Sequence, residues 1–168
     1  MFFRMSSADD HFMAYRLIAP KWATTALSGE GARLYGGRWN SPGRPMVYLA
    51  TSRALAALEL LVHLTTPGSR RIPRTLVSVR VPKDIVGGEL WQNEGWRDDP
   101  PGKGSTDQGD DWLSVGKTGG VFAPSAIIAA EQNLLLNPLH ADFGKVDVIK
   151  IEAFSFDHRL ACKESSLS

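Results

Sequence analysis

Residues 28–45, SGEGARLYGGRWNSPGRP, place five glycines and two prolines in 18 positions. Glycine loosens the backbone, while proline locks φ and removes a hydrogen-bond donor, so the stretch reads as one long loop. A loop of that length inside a compact domain is usually functional. The chain around it has 168 residues and 18.4 kDa, which fits one domain with one sizeable core. At 43% hydrophobic and 22% charged residues it is neither a disordered chain nor a coiled coil.

The apolar pattern on either side of the loop supplies short elements. Residues 12–18 (FMAYRLI) predict a first strand, closed by Ala19-Pro20, and residues 46–50 (MVYLA) a short buried one. Thr51 and Ser52 are both suitable helix N-caps ahead of RALAALELLVHL, whose leucines and alanines cover so much of its surface that a helix buried on most sides is expected. Residues 75–81 alternate like a strand. Residues 83–120 give a weak signal around Trp91, Trp96 and Trp112, with one short helix expected near 105–115. A strand over 121–130, interrupted at Pro124-Ser125, and strands over 133–137 and 146–156 complete the pattern. Strands outnumber helices and alternate with them irregularly, which predicts an α+β single domain: a mixed, twisted sheet with flanking helices. The domain is expected to occupy 1–168, with its core at about 12–160 and flexible tails at 1–10 and 161–168.

Net charge is only +1, but it is unevenly spread. Residues 1–84 carry 12 basic and 5 acidic side chains; residues 85–168 carry 7 and 13. Between Gly31 and Lys83 stand nine Arg or Lys and a single acid, Glu59. A long polyanion needs a uniformly basic surface, so direct nucleic-acid binding is not expected. A small anion held by a few arginines fits better than a polyanion, although charge alone favours simple pairing of the two halves across the fold.

Several chemistries can be set aside. No apolar run approaches the roughly 20 residues of a membrane span, and MFFRMSSADDHF has no secretory pattern, so a cytoplasmic location is expected. The single Cys162 offers neither a disulfide nor a thiolate metal site, and His11, His63, His140 and His158 lack zinc-like spacing; no metal is expected. Ser114-Val115-Gly116-Lys117-Thr118 ends like a phosphate-binding loop, yet Asp111 stands where its first glycine should be. Gly29-Glu30-Gly31 lacks the third glycine of a dinucleotide fingerprint.

Glu59 is the most informative residue. In the middle of ALAALELLVHL an ionised carboxylate is costly to bury without partners, so it is either a pocket acid among arginines or a surface residue paired with His63 one turn on. Arg38, beside Gly36 and Gly37, suits a pyrophosphate, or stacks on Trp39 as an ordinary loop residue. Arg16 in the first strand would need an anionic partner if it points inward. Tyr48 either presents its ring to a ligand or fills the core, and Ser125 is either a hydroxyl aimed into a pocket or a solvent-facing serine.

Tyr15-Arg16-Leu17, GGRWNSPGRPMVYLATS (36–52), ALELLVHL (57–64), APSAI (123–127) and NLLLNPLH (133–140) together resemble the RES domain family, over about residues 12–160. The resemblance implies a fold like that of the ADP-ribosyltransferases and a toxin of a toxin–antitoxin pair that destroys NAD+. Nicotinamide–ribose cleavage with water or phosphate as acceptor is implied, with NAD+ as substrate and no further cofactor. ADP-ribosylation of a protein target is the alternative; a ribonuclease toxin and a non-enzymatic binding module are weaker ones. The implied catalytic residues are Arg38, Tyr48, Glu59 and Ser125, with Arg16 and Asn133 binding substrate. The implied partner is an Xre-type helix-turn-helix antitoxin, and a homodimer is left open. One departure is Ala123 before Pro124, where the family pattern expects valine; another is the polar insert at 97–109, which leaves the lid over the pocket undefined.

Overall fold

Alternation along the strands sorts the side chains into two layers, and that sorting positions everything else. In a computed structural model, which describes residues 10–90, 92 and 94–160, seven strands form one sheet in the order β4-β5-β6-β2-β1-β3-β7. They are β1 (His11–Ile18), β2 (Val47–Ala50), β3 (Arg74–Pro82), β4 (Val86–Glu89), β5 (Gly120–Pro124), β6 (Gln132–Leu136) and β7 (Asp147–Phe154). The β4–β5 pair is parallel and every other neighbour is antiparallel, giving the expected mixed sheet of an α+β domain. Trp91, Cys162 and nearly all of the two expected tails lie outside the described residues.

One face of the sheet is aliphatic. Ala14, Val47, Leu49, Val77, Val79, Leu134 and Leu136 pack there in the principal core, all but inaccessible to solvent. Burying each large aliphatic side chain contributes roughly 1.5–3 kcal/mol, enough to fix the register, because a one-residue slip would turn the whole set outward. The other face is mixed. A row of directly paired residues, Ala123, Asn133, Ala50, Tyr15 and Ser78, crosses β5, β6, β2, β1 and β3 on that side.

Among the described residues four α-helices accompany the sheet: α1 (Glu30–Tyr35), α2 (Arg53–Leu61), α3 (Pro67–Arg71) and α4 (Lys103–Val115). The Ser52 hydroxyl accepts the Leu55 amide at 3.0 Å and starts α2, as the sequence predicts. Only Leu55 and Ala56 of α2 are fully buried, however, so the expectation of burial on most sides does not hold. The helix rests on the mixed face by one side, near Ala50 and Tyr15. The breaker-rich loop contains α1, six residues ending at Gly36. The strand expected over 121–130 stops at Pro124, since the chain turns at Ser125 to enter β6. Among the described residues, no helix is long and apolar enough to cross a membrane.

Candidate active site

The turn of α2 that carries Glu59 faces the start of β6 and the end of β5. One carboxylate oxygen, Oε1, accepts hydrogen bonds from Ser125 Oγ at 2.8 Å and from Asn133 Nδ2 at 2.7 Å. Among the described residues, neither a hydrogen bond to Oε2 nor an ion pair of Glu59 is found. The expected ring of arginines around this acid is therefore replaced by two neutral donors, and the His63 alternative is not realised. Ser125 is completely buried, and its hydroxyl also accepts the amides of Ile127 and Ile128, each at 3.2 Å. With both amides pointing at its lone pairs, the hydroxyl hydrogen is left to the carboxylate. Asn133 is directed toward α2 by its place in the row, opposite Ala50 and Ala123.

Tyr48 stands on the same face, two residues before Ala50 on β2. Its hydroxyl donates to Asn40 Oδ1 at 2.7 Å and accepts the Trp39 amide at 3.0 Å. Burial pushes the phenol pKa up; the Trp39 amide and the positive charge of Arg38 oppose that shift, while Asp110 adds to it. Tyr48 thus stays a protonated phenol that locks the GRWN loop, and its ring packs with Trp39, Met46 and Leu135. The lock needs Gly37: a Cβ there would lie 2.5 Å from the Tyr48 hydroxyl. Asn40 was not singled out from sequence. Buried and turned inward, it donates from Nδ2 to the carbonyls of Ala32, Ser41 and Arg44, at 2.9–3.1 Å, and so binds α1 and both arms of the loop together. An asparagine in a breaker-rich segment was the available signal, since such loops leave carbonyls unpaired. Helix α4 clamps the loop from outside. Gly109 lets its backbone touch the Trp39 carbonyl, where a Cβ would collide, and Asp110 Oδ1 accepts the Ser41 amide at 3.0 Å.

Arg38 extends from this loop and donates from Nη1 to the carbonyls of Trp96, at 2.6 Å, and Asp98, at 2.9 Å. Arg97, on the same segment, donates to the carbonyl of Ala126 at 3.1 Å, next to Ser125. The segment 96–98 therefore spans from the Arg38 loop to the Ser125 turn. An open cleft of about 650 Å³ runs alongside, lined by Ser52, Pro124 and Gln132, chain neighbours of the site, and by Glu89 and Glu131.

Arg16 is the residue the structure does not bring in. It shares its face with Ala14 and Val77, on the aliphatic side, whereas its neighbour Tyr15 faces α2. Instead of an anion it holds the carbonyl of Ala26 at 2.6 Å, and burial lowers its pKa from the usual arginine value. Among the described residues, no group of three or more His, Cys, Asp or Glu side chains could hold a metal ion.

A glutamate oriented by serine and asparagine, and a tyrosine-locked arginine loop joined to the serine turn through residues 96–98, are formed by the motifs that resembled one family. The family model described as RES domain matches residues 13–157. The chain belongs to the RES domain family. This RES chain is 39% identical over 152 residues to Toxin Res of Photorhabdus laumondii, covering 87% of this chain and 95% of that protein. It is 37% identical over 142 residues to the Prs ADP-ribosylating toxin of a Sphingobium species, covering 82% and 88%. A 70-residue stretch, 33% of this chain and 38% of the relative, is 40% identical to the NAD(+) phosphorylase MbcT of Mycobacterium tuberculosis. The fold is shared with a chain in the crystal structure of the M. tuberculosis MbcT–MbcA toxin–antitoxin complex, at a TM-score of 0.68 and 23% identity, over 86% of this chain and 85% of that one.

Proposed function

We propose that this RES chain is the toxin of a toxin–antitoxin pair and cleaves NAD+ at the nicotinamide–ribose bond. The observation that carries the reading is the Glu59 carboxylate, fixed through one oxygen by Ser125 and Asn133, while Oε2 has no hydrogen-bond partner among the described residues. As nicotinamide departs with the electron pair of the C–N bond, ribose C1′ becomes electron-poor, as in glycoside hydrolysis. A carboxylate already oriented by neutral donors stabilises that charge without reorganising, and Oε2 is free to meet the ribose hydroxyls or the incoming acceptor. Water as acceptor gives ADP-ribose and a proton; phosphate gives the phosphorylated sugar. Arg38 would exchange the carbonyls of Trp96 and Asp98 for phosphate oxygens, which an arginine fork holds more strongly. Tyr48 shapes the nicotinamide end through its ring, its hydroxyl being committed to the loop. Arg16 has a structural part in this scheme, holding the turn at Ala26.

The names of the relatives support both the toxin role and NAD+ as substrate, and the MbcT–MbcA complex supports an antitoxin partner. We assign that partner to the helix-turn-helix Xre type and the reaction to the cytoplasm, where NAD+ is available. A second reading, transfer of ADP-ribose to a protein with the same site, is favoured by the Sphingobium relative. Incubating the purified chain with NAD+, with and without phosphate, and identifying products by mass spectrometry separates the two. Free ADP-ribose or its phosphorylated form supports cleavage. Mass gain on a target protein without these products supports transfer, and intact NAD+ in every arm contradicts both.

A further inference from the structure

We propose that β7 is a self-association edge, on which two copies of this chain pair antiparallel about a two-fold axis at Ile151, with Lys150 of each copy opposite Glu152 of the other. The two edges of the sheet are built differently. β4 is four residues long, VGGE, and Gly88 takes a left-handed φ of +80° that ends its usefulness as a template. β7 is eight residues long, DVIKIEAF, with neither glycine nor proline, and is the last strand in the sheet order; its register with β3 shifts at Ile149, which leaves Lys150–Phe154 as its regular stretch. Val148, Ile149 and Ile151 are 40%, 48% and 50% exposed, and among the described residues no element pairs with its outer side. A long apolar edge of this kind is a docking template unless something blocks it.

Lysine on an edge normally does the blocking. Here Lys150 lies 2.6 Å from Glu152, two residues on and on the same face, so its charge is already matched. Glu152 keeps its other oxygen, Oε2, shielded and without a hydrogen-bond partner. Charge then selects the register. Two-fold antiparallel pairing must be centred on a residue. Centring on Lys150 sets lysine against lysine, and centring on Glu152 sets glutamate against glutamate. Centring on Ile151 sets Ile151 against itself and Lys150 against Glu152 twice, making a four-charge ladder of alternating sign. Opposed unlike charges favour a cross-strand pair, and like charges oppose it. The occupant that this pattern fits is a second copy. A strand pairing this short buries less than the roughly 1,600 Å² of stable complexes, so a dissociation constant on the order of 1–100 μM is expected.

Sedimentation velocity on the full chain across a concentration series spanning that range tests this, with the melting temperature of each variant reporting that it folds. The wild type should dimerise as concentration rises, and Ile151→Lys should remain monomeric. Lys150→Glu or Glu152→Lys alone should raise the dissociation constant at least about tenfold, and the double reversal should restore it to within about threefold. If Ile151→Lys fails to fold, the charge-reversal series decides. A wild type monomeric throughout, single reversals without effect, or a double reversal that does not rescue would each overturn the proposal. So would a monomeric chain in which these substitutions abolish binding to a helix-turn-helix partner, since the edge would then belong to a different protein.

Discussion

The two faces of the sheet hold polar groups on opposite terms. On the aliphatic face the guanidinium of Arg16 is spent on one carbonyl, and it is surrounded by a layer of alanine, valine, leucine, isoleucine and phenylalanine. On the mixed face Tyr48 with Asn40, and Glu59 with Ser125 and Asn133, form two polar sets whose remaining bonds go to backbone groups of the neighbouring loops. The first face needs only volume and alternation, which many sequences supply. The second needs particular donors aimed at particular acceptors, and an unmatched member costs its full desolvation. Stability and chemistry are thereby separated onto opposite sides of the same strands.

Leu134→Ala breaks the aliphatic face at its centre and should lower stability by about 3 kcal/mol, seen as a melting temperature lower by roughly 6–12 °C. Because Leu134 and Asn133 point in opposite directions, NAD+ turnover per folded molecule should hardly change. Tyr48→Phe acts on the mixed face. It strands Asn40 Oδ1 and the Trp39 amide, at a cost of about 1–3 kcal/mol in chemical denaturation, and it loosens the Arg38 loop.

Tyr48 also makes a pH prediction. Its folded pKa lies above the ordinary tyrosine value of about 10, so its contribution is fully present below that pH and is lost as the unfolded phenol ionises above it. Denaturation midpoints should fall above about pH 10, less steeply in Tyr48→Phe. In an ultraviolet titration, one of the three tyrosines should stay protonated until unfolding. Ser125→Ala removes one of two donors to Oε1 and should slow NAD+ cleavage about tenfold. Asp147→Asn, at the exposed pair with Arg80, should change stability by less than about 1 kcal/mol.

The same division governs what could be read from sequence. β1, β2, β3, β6 and β7 were legible because strands with an apolar face alternate, and Ser52 announced α2. β4 was hidden because VGGE offers two glycines and one aliphatic residue, and α1 because six helical residues lie between glycines. At 126–131 apolar isoleucines imitate a strand, but the Ser125 hydroxyl captures their amides into a turn. Glu59, Ser125 and Asn133 were found through motif resemblance, and their meeting is a product of register and a strand–turn junction that no local signal specifies. Asn40 escaped because its importance lies in three carbonyls that only the folded loop gathers. Arg16 stands one step of strand parity from Tyr15, which occupies the α2 side, and a lone arginine in a short strand carries no signal of which face it takes.

The most direct measurement is nicotinamide release from NAD+ by the wild type and by Glu59→Gln, with the melting temperature of each recorded. Loss of an electrostatic stabiliser of this kind costs on the order of 10²–10³ in rate, so the glutamine variant should melt within a few degrees of wild type and lose at least about a hundredfold in release. Equal release by a well-folded Glu59→Gln, or none by the wild type, would contradict the assignment of Glu59 as the catalytic carboxylate.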